Sequence, residues 1–297
     1  MTDTPEAAPF PSAREEVETS VVLGGETPQT ASPAYRLAFE DTDFLLRSDL
    51  RPVRLQLELL KPELLQQELG IRSTVSMFGS ARIPDSETAA KRLADAEAEA
   101  HANPRDRNAA RKLAIARRMM ANSRYYDEAR RLAQIVTNTC IGEHICDFVV
   151  KTGGGPGIME AANRGAADLG GKSIGLNIVL PMEQAPNPYV TPDLCFRFHY
   201  FAIRKMHFLT RSKALVVFPG GFGTLDEMFE ALTLIQTGKI EPIPVLLFGR
   251  EYWERVINID AMVMEGMISP EDKDLITYVE TAEEAWNHIA EFYRLPR

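Results

Sequence analysis

Short continuous runs of apolar residues alternate with segments of helical periodicity from residue 74 to the end of the chain. Continuous apolar runs are typical of strands that are buried on both faces of a parallel sheet. Such runs predict strands at 74–78, 147–151, 173–179, 214–218, 244–248 and 275–279. Helices are predicted at 125–139, 157–169, 204–212, 224–237, 251–264 and 281–293. Because strands and helices alternate, the sequence predicts an α/β fold with a doubly wound parallel sheet flanked by helices.

Two N-terminal segments lie outside this alternation. Residues 1–34 are rich in Pro, Thr, Ser and Glu, a composition typical of a disordered tail. Residues 35–70 are expected to form an N-terminal helical extension, because leucines recur at helical spacing from Leu57 to Leu64. Pro62 favours a break of this extension into two short helices.

A helical insertion is predicted after the first strand, at 84–123. The segment is rich in Ala, Arg and Glu, and Asn103-Pro104 divides it into two helices. The second helix is basic, which is more typical of a solvated helix face than of a binding patch. Residues 71–297 are therefore expected to form a single domain that carries this insertion.

Composition narrows the classes of function. The formal net charge is −9, which disfavours binding to nucleic acid or to an anionic membrane. Three cysteines show no metal-ligand spacing and are expected to be free thiols, as in a reducing cytosol. The sequence shows neither a signal peptide nor an apolar run of membrane-spanning length, so a cytoplasmic location is expected.

Three loops that follow predicted strands are rich in small residues. They are 79–82, 153–157 and 219–224, and in a doubly wound sheet such loops lie where ligands bind. In the third loop, Gly220, Gly221 and Gly223 would let the backbone approach an anion at the start of the helix that begins at Thr224. A tight turn without a ligand is the alternative.

Two interpretations of Glu227 remain open. Thr224 and Glu227 have the spacing of a capping box, in which Thr224 is the N-cap and Glu227 reaches back to its amide. Alternatively, Glu227 faces a bound sugar. Asp226 and Glu227 would both lie in the first helical turn, so a phosphate is expected against the amides of 220–224 with one carboxylate turned towards the ribose.

The second loop matches a dinucleotide fingerprint poorly, because Ile158 stands where the third glycine belongs and no acidic residue ends the next strand. A nicotinamide cofactor is therefore not expected. Two glycine-rich turns instead suggest a single nucleotide held between them. Arg204 and Lys205 could hold phosphate or ribose oxygens, or be two exposed cations. His207 is expected to be a packing or surface residue, and no catalytic metal is predicted.

At this point the motifs resemble those of a known family. The segment 219–227 fits the PGGxGTxxE signature of the LONELY GUY (LOG) family of cytokinin riboside 5′-monophosphate phosphoribohydrolases, some long labelled lysine decarboxylases. The turn at 153–157 resembles the family's glycine-rich turn, and Arg204-Lys205 its Arg-Lys pair. The extension and insertion resemble those of a bacterial branch that includes nucleotide nucleosidases. The resemblance covers 74–297.

The resemblance implies a Rossmann-like fold and assigns roles to individual residues. Arg204 and Glu227 would be the catalytic pair. The candidate substrate- and phosphate-binding residues are Gly79, Ser80, Gly153, Gly154, Gly155, Gly157, Glu183, Lys205, Gly220, Gly221, Gly223, Thr224 and Thr233.

The implied activity is hydrolysis of the N-glycosidic bond of a nucleoside 5′-monophosphate, such as AMP or a cytokinin riboside 5′-monophosphate. The products would be a free base and ribose 5-phosphate, and the base stays open. No cofactor is expected, and no lysine lies in a recognisable pyridoxal phosphate site. A homodimer or higher homo-oligomer is implied by the family. The alternative is a non-catalytic carrier or sensor of the same fold that binds a nucleotide or molybdopterin.

Overall fold

A computed structural model describes residues 11–19, 25–139, 147–181 and 185–295. The chain divides into two compact units, residues 1–54 and 55–297. The predicted disorder of the tail falls partly on residues 1–10 and 20–24, which lie outside the described residues, and it stays a prediction. Two of the three cysteines, Cys140 and Cys146, also lie outside them.

The first unit contains short helices. Its described α-helices are α1 (Ala13–Thr19) and α2 (Thr42–Leu45), and α3 (Arg51–Glu68) begins in it. Asp41 caps α2, because its carboxylate accepts a hydrogen bond from the Phe44 amide at 3.0 Å. The Arg54 guanidinium donates to the carbonyl oxygens of Leu45 and Arg47, at 2.7 and 2.6 Å.

The second unit is a seven-stranded sheet flanked by helices. Its described strands are β1 (Thr74–Phe78), β2 (Val149–Thr152), β3 (Ser173–Ile178), β4 (Cys195–Phe198), β5 (Ser212–Val217), β6 (Val245–Phe248) and β7 (Thr277–Val279). Its further described helices are α4 (Ser86–Ala102), α5 (Arg107–Asn122), α6 (Arg124–Asn138), α7 (Ile158–Asp168), α8 (Phe201–Leu209), α9 (Phe222–Gln236), α10 (Arg250–Val256), α11 (Ile259–Met264) and α12 (Ala282–Phe292). The predicted insertion is present as α4 and α5.

All neighbouring strands are parallel, in the order β4-β3-β2-β1-β5-β6-β7. The chain therefore builds outward from β1 in one direction through β4 and then returns to the other side of β1 with β5. The strand order reverses between β1 and β5, and ligands of such sheets bind beyond the carboxyl ends of the strands at this point. The predicted Rossmann-like α/β fold is confirmed.

The core lies on both faces of the sheet. On β5, Ala214 and Val216 pack towards α6, α7 and α12, whereas Leu215 and Val217 pack towards α8, α9 and α10. Successive side chains of a strand point to opposite faces, so a continuous apolar run is what two covered faces require. Among the described residues, no helix has the length and apolar character needed to cross a bilayer.

Several predicted elements differ from those of the structure. Strand β4 was missed, although Cys195-Phe-Arg-Phe198 alternates apolar and polar residues as an edge strand does. Helix α8 begins at Phe201, so Arg204 lies within it instead of opening it. The single helix predicted at 251–264 is two helices, because Asn258 caps a second start by accepting from the Ala261 amide at 2.9 Å.

Pro62 does not break α3, which is continuous through it. A proline cannot donate to the carbonyl four residues before it, which here is that of Glu58. The buried ring nitrogen Nε2 of His207 lies 3.3 Å from this carbonyl oxygen and replaces the missing amide. The expected break is therefore avoided by a partner on α8, and the interpretation of His207 as a packing residue agrees with its burial.

Candidate active site

A cavity of about 650 Å³ lies at the point where the strand order reverses. Its floor is formed by the loops that follow β1 and β5, and parts of α5, α8, α9 and α10 form its walls. Its volume falls in the range of about 300–1,000 Å³ that is usual for small-molecule sites. The predicted site residues that line it are Gly79, Ser80, Gly153, Arg204, Gly220, Gly221, Gly223, Thr224 and Glu227.

Hydrogen bonds through Ser80 join the first loop to the third loop and to the residue that follows the second. The Ser80 amide donates to the Pro219 carbonyl at 3.0 Å, and the Ile158 amide donates to the Ser80 carbonyl at 3.2 Å. Gly157 has a φ of +71°, and a Cβ there would overlap the Ser80 carbonyl oxygen. Glycine is required at this position both by the backbone conformation and by the close approach of the two loops.

The third loop leads directly into α9 and leaves amides free at the helix start. Helix α9 begins at Phe222 after Gly221, and the amides of Gly221, Phe222 and Gly223 make no hydrogen bond to the described residues. The Tyr252 hydroxyl donates to the Gly220 carbonyl at 2.6 Å and so joins α10 to this turn. Free amides at the positive end of a helix dipole form an anion site.

The predicted capping box is absent. Gly221 is the N-cap of α9 and no side chain caps it, so Thr224 and Glu227 lie inside the helix. Asp226 and Glu227 therefore lie in the second turn, not the first. The cause is the earlier start of the helix at Phe222, which the sequence pattern placed at Thr224. With the capping role excluded, Glu227 is free to face the cavity.

Glu227 and Arg204 form a buried pair on the cavity wall. Arg204 Nη1 lies 3.8 Å from Glu227 Oε1, and the two side chains are 15% and 6% exposed. Arg204 Nε donates to the Leu176 carbonyl at 2.7 Å, and its guanidinium carbon lies 4.8 Å from the Phe208 ring centroid. The arginine is therefore held in place by β3 and by its own helix rather than by the carboxylate.

Burial changes the ionisation of both members of this pair. It raises the pKa of Glu227 to about 7, although Arg204 and Lys205 favour the charged carboxylate. It also lowers the pKa of Arg204, against the attraction of Glu227 and Asp226, but an arginine stays charged at neutral pH. A buried carboxyl group that titrates near neutrality beside a fixed cation is typical of catalytic sites.

Lys205 and Thr233 lie outside this cavity. Lys205 Nζ lies 2.8 Å from Asp226 Oδ1 and 3.2 Å from Glu230 Oε2. Thr233 donates its hydroxyl to the Phe229 carbonyl at 2.7 Å. Both line a separate shallow depression along α9. The ion pairs of Lys205 are satisfied within the chain, so the structure does not bring it to the candidate phosphate site.

The second glycine-rich turn is shaped by a buried polar network. Asn187 Nδ2 donates to the carbonyls of Gly154 and Gly155, at 3.1 and 3.0 Å, and Thr152 Oγ1 accepts from the Gly154 amide at 3.0 Å. Of this turn, only Gly153 lines the cavity. Glu183, the remaining predicted substrate-binding residue, lies outside the described residues.

Several cavity residues, among them Arg82, Met119, Asn122 and Tyr252, were not among the predicted site residues. Arg82 follows the first loop, Met119 and Asn122 lie at the end of α5, and Tyr252 lies on α10. The insertion was predicted, but its amphipathic pattern does not reveal which end approaches the loops. Arg82 belongs to the loop 79–82, which was predicted to lie where ligands bind. Its place in that loop is the sequence feature that could have identified it as a site residue.

Both ends of α8, which carries Arg204, are bound by other elements. The Glu58 carboxylate accepts from the amides of His199 and Tyr200, at 2.8 and 3.0 Å. Fully buried Lys151 donates from Nζ to the carbonyls of His207 and Thr210, at 2.7 and 2.6 Å. Burial lowers the pKa of Lys151 to about 7.

Comparisons with known proteins agree with the motifs. The family model described as "Possible lysine decarboxylase" matches residues 159–289. The cytokinin riboside 5′-monophosphate phosphoribohydrolase LOG3 of Arabidopsis thaliana is 30% identical over 148 residues, which cover 48% of this chain and 67% of LOG3. The probable phosphoribohydrolase LOGL5 of Oryza sativa subsp. japonica is 30% identical over 152 residues, which cover 50% of this chain and 60% of LOGL5. An X-ray structure of TM1055 is 23% identical, covers 57% of this chain and 89% of that one, and has a TM-score of 0.42.

The region matched by the family model contains both Arg204 and Glu227. It also contains the whole third loop, whose PGGxGTxxE signature first indicated the resemblance. The chain belongs to the LONELY GUY (LOG) family.

Proposed function

We propose that this protein hydrolyses the N-glycosidic bond of a nucleoside 5′-monophosphate, releasing the free base and ribose 5-phosphate. AMP and cytokinin riboside 5′-monophosphates are the proposed substrates, the latter because they appear in the names of relatives such as LOG3. The observation that carries the proposal is the presence of Glu227 beside Arg204 in the cavity that also exposes the free amides of Gly221, Phe222 and Gly223.

The phosphate is proposed to bind at the start of α9. A dianion accepts hydrogen bonds from the free amides and is favoured by the helix dipole. The phosphate is remote from the bond that breaks, so its binding energy is available to position the ribose. Glu227 lies one turn further along the same helix and lines the same cavity, which supports a role of its carboxylate beside the sugar.

The carboxylate of Glu227 then stabilises positive charge on the ribose. Breaking the bond between C1′ and the base nitrogen produces an oxocarbenium-like transition state, which a nearby anion favours. Glu227 also accepts a proton from the water whose oxygen adds to C1′ as the C1′–N bond breaks. The departing base nitrogen takes up one proton from solvent, so one water is consumed for each base and ribose 5-phosphate released. Arg204 orients the carboxylate and the ribose hydroxyls from a fixed position.

A panel of nucleoside 5′-monophosphates tests the proposal. Each is incubated with the protein, and free base, ribose 5-phosphate, nucleoside and inorganic phosphate are separated by chromatography. We expect base and ribose 5-phosphate in equal amounts from at least one member. Release of inorganic phosphate and nucleoside instead would contradict the proposal, and tight binding without turnover of any member would favour the non-catalytic carrier or sensor.

A further inference from the structure

The candidate phosphate site needs a cation that the predicted Lys205 does not supply. A phosphate monoester carries nearly two negative charges at neutral pH. Among the described residues that line the cavity, only Arg82, Arg204 and Glu227 carry charge. Arg204 faces Glu227, and Lys205 pairs with Asp226 and Glu230 outside the cavity.

Among the described residues that line the cavity, Arg82 is the cation without a partner. Its guanidinium makes no ion pair, hydrogen bond or ring contact with any described residue, although an arginine on an acidic protein has many possible partners. It is exposed and lines the cavity beside the turn that leads into α9. An unpaired guanidinium is suited to a phosphate, whose oxygens match its planar fork.

The backbone that carries Arg82 is fixed relative to the free amides. The Arg82 amide donates to Ser80 Oγ at 3.1 Å, and the Ser80 amide donates to the Pro219 carbonyl at 3.0 Å. Pro219 directly precedes the glycines of the third loop. Two hydrogen bonds therefore link the base of the Arg82 side chain to the turn at which the phosphate is proposed to bind.

We infer that Arg82 binds the substrate phosphate and sets the preference of the site for a nucleoside monophosphate over the unphosphorylated nucleoside. This inference rests on the proposed function and deepens it. It assigns the charge-neutralising role to the loop after β1 in place of Lys205. A charge-assisted arginine–phosphate contact corresponds to a change of about 10- to 100-fold in binding.

Binding of ribose 5-phosphate, measured by calorimetry, tests the inference without requiring turnover. The variants are Arg82→Gln, Arg82→Lys, Lys205→Gln and the control Arg92→Gln, which changes an exposed arginine on α4 away from the cavity. We expect Arg82→Gln to weaken binding about 10- to 100-fold, Arg82→Lys to recover part of it, and Arg92→Gln to bind as the unaltered protein does.

Base release gives the second readout. Arg82→Gln should lower kcat/KM for AMP by a similar factor and so reduce the preference of the site for AMP over adenosine. The inference is overturned if the unaltered protein does not bind ribose 5-phosphate, if Arg82→Gln binds it within twofold of the unaltered protein, or if only Lys205→Gln loses binding. Arg82-dependent binding without any base release would support the inference and contradict the proposed function instead.

Discussion

Arg204 Nη1 and Glu227 Oε1 are 3.8 Å apart, and the arginine is held independently by the Leu176 carbonyl and the Phe208 ring. The separation is longer than that of a direct ion-pair hydrogen bond, which is usually about 2.7–2.9 Å. The two groups therefore face the same part of the cavity without neutralising each other by a tight contact. This arrangement leaves the Glu227 carboxylate able to interact with a bound sugar.

Arg204→Lys tests whether the position of the cation matters for catalysis in addition to its charge. Lysine keeps the charge but lacks the Nε that donates to Leu176 and the planar group that lies against Phe208. We expect kcat for AMP to fall about 100-fold, with a smaller change in KM, because the loss is one of orientation. Steady-state kinetics measure both parameters, with Arg92→Lys as control. A kcat within twofold of the unaltered protein would contradict the assigned role.

The ionisation of Glu227 should appear in the pH dependence of base release. The pKa of Glu227 is raised to about 7 by burial, so the carboxylate form increases as pH rises through 7. If catalysis needs the carboxylate, kcat/KM should rise about tenfold per pH unit below 7 and level off above 8. The phosphate of AMP also titrates near pH 6, so the profile should be repeated with adenosine. A profile that falls through pH 7 would assign Glu227 the opposite protonation state.

The same group should reduce stability as pH rises. Because the folded pKa of about 7 lies above the ordinary 4.5, the folded state binds more protons than the unfolded state between these values. The free energy of unfolding should therefore decrease from pH 4.5 to 7, by at most about 3 kcal/mol from this residue. Glu227→Gln removes this dependence, and urea unfolding should show the variant more stable than the unaltered protein at pH 8 and similar at pH 4.5. Lower stability at pH 8 would be inconsistent with an unfavourable buried charge.

Gly157 lies where two loops approach closely, whereas Gly170 faces open space. Both have a positive φ, +71° and +69°, but Gly157 also has a ψ of −129°, so alanine at Gly157 is strained by its backbone conformation as well as by the contact. At Gly170 the new Cβ would meet open space, whereas at Gly157 it would overlap the Ser80 carbonyl oxygen and lie 2.8 Å from the Ala81 carbonyl carbon. Gly157→Ala should lose about 1–3 kcal/mol more in urea unfolding than Gly170→Ala. Equal losses would show that the contact with the Ser80 loop adds nothing to stability.

The sheet and the three loops could be predicted because they depend on local pattern. Continuous apolar runs such as 214–218 identify buried strands, and a glycine-rich turn between strand and helix identifies the edge where ligands bind. The start of α9 could not be predicted, because Thr224 and Glu227 have the complete spacing of a capping box, which the structure does not form. Local sequence does not show that the chain already turns helical at Phe222.

The remaining differences come from contacts between residues distant in sequence. Pro62 is accommodated inside α3 because His207 takes the place of its missing amide. Lys205 is directed away from the cavity by Asp226 and Glu230, which lie on a different helix. Such partners are determined by tertiary packing. Arg204 and Lys205 are therefore neighbours in sequence, but Arg204 lines the cavity and Lys205 lines the separate depression along α9.

Base release by Glu227→Gln tests the catalytic role of Glu227 most directly. The unaltered protein and the variant are incubated with AMP, and adenine and ribose 5-phosphate are measured by chromatography, with ribose 5-phosphate binding and urea unfolding as controls for an intact site and fold. We predict equal amounts of adenine and ribose 5-phosphate from the unaltered protein and a loss of about 100- to 1,000-fold in the variant, which still folds and binds ribose 5-phosphate. Adenine release by the variant at close to the unaltered rate would contradict the catalytic role of Glu227.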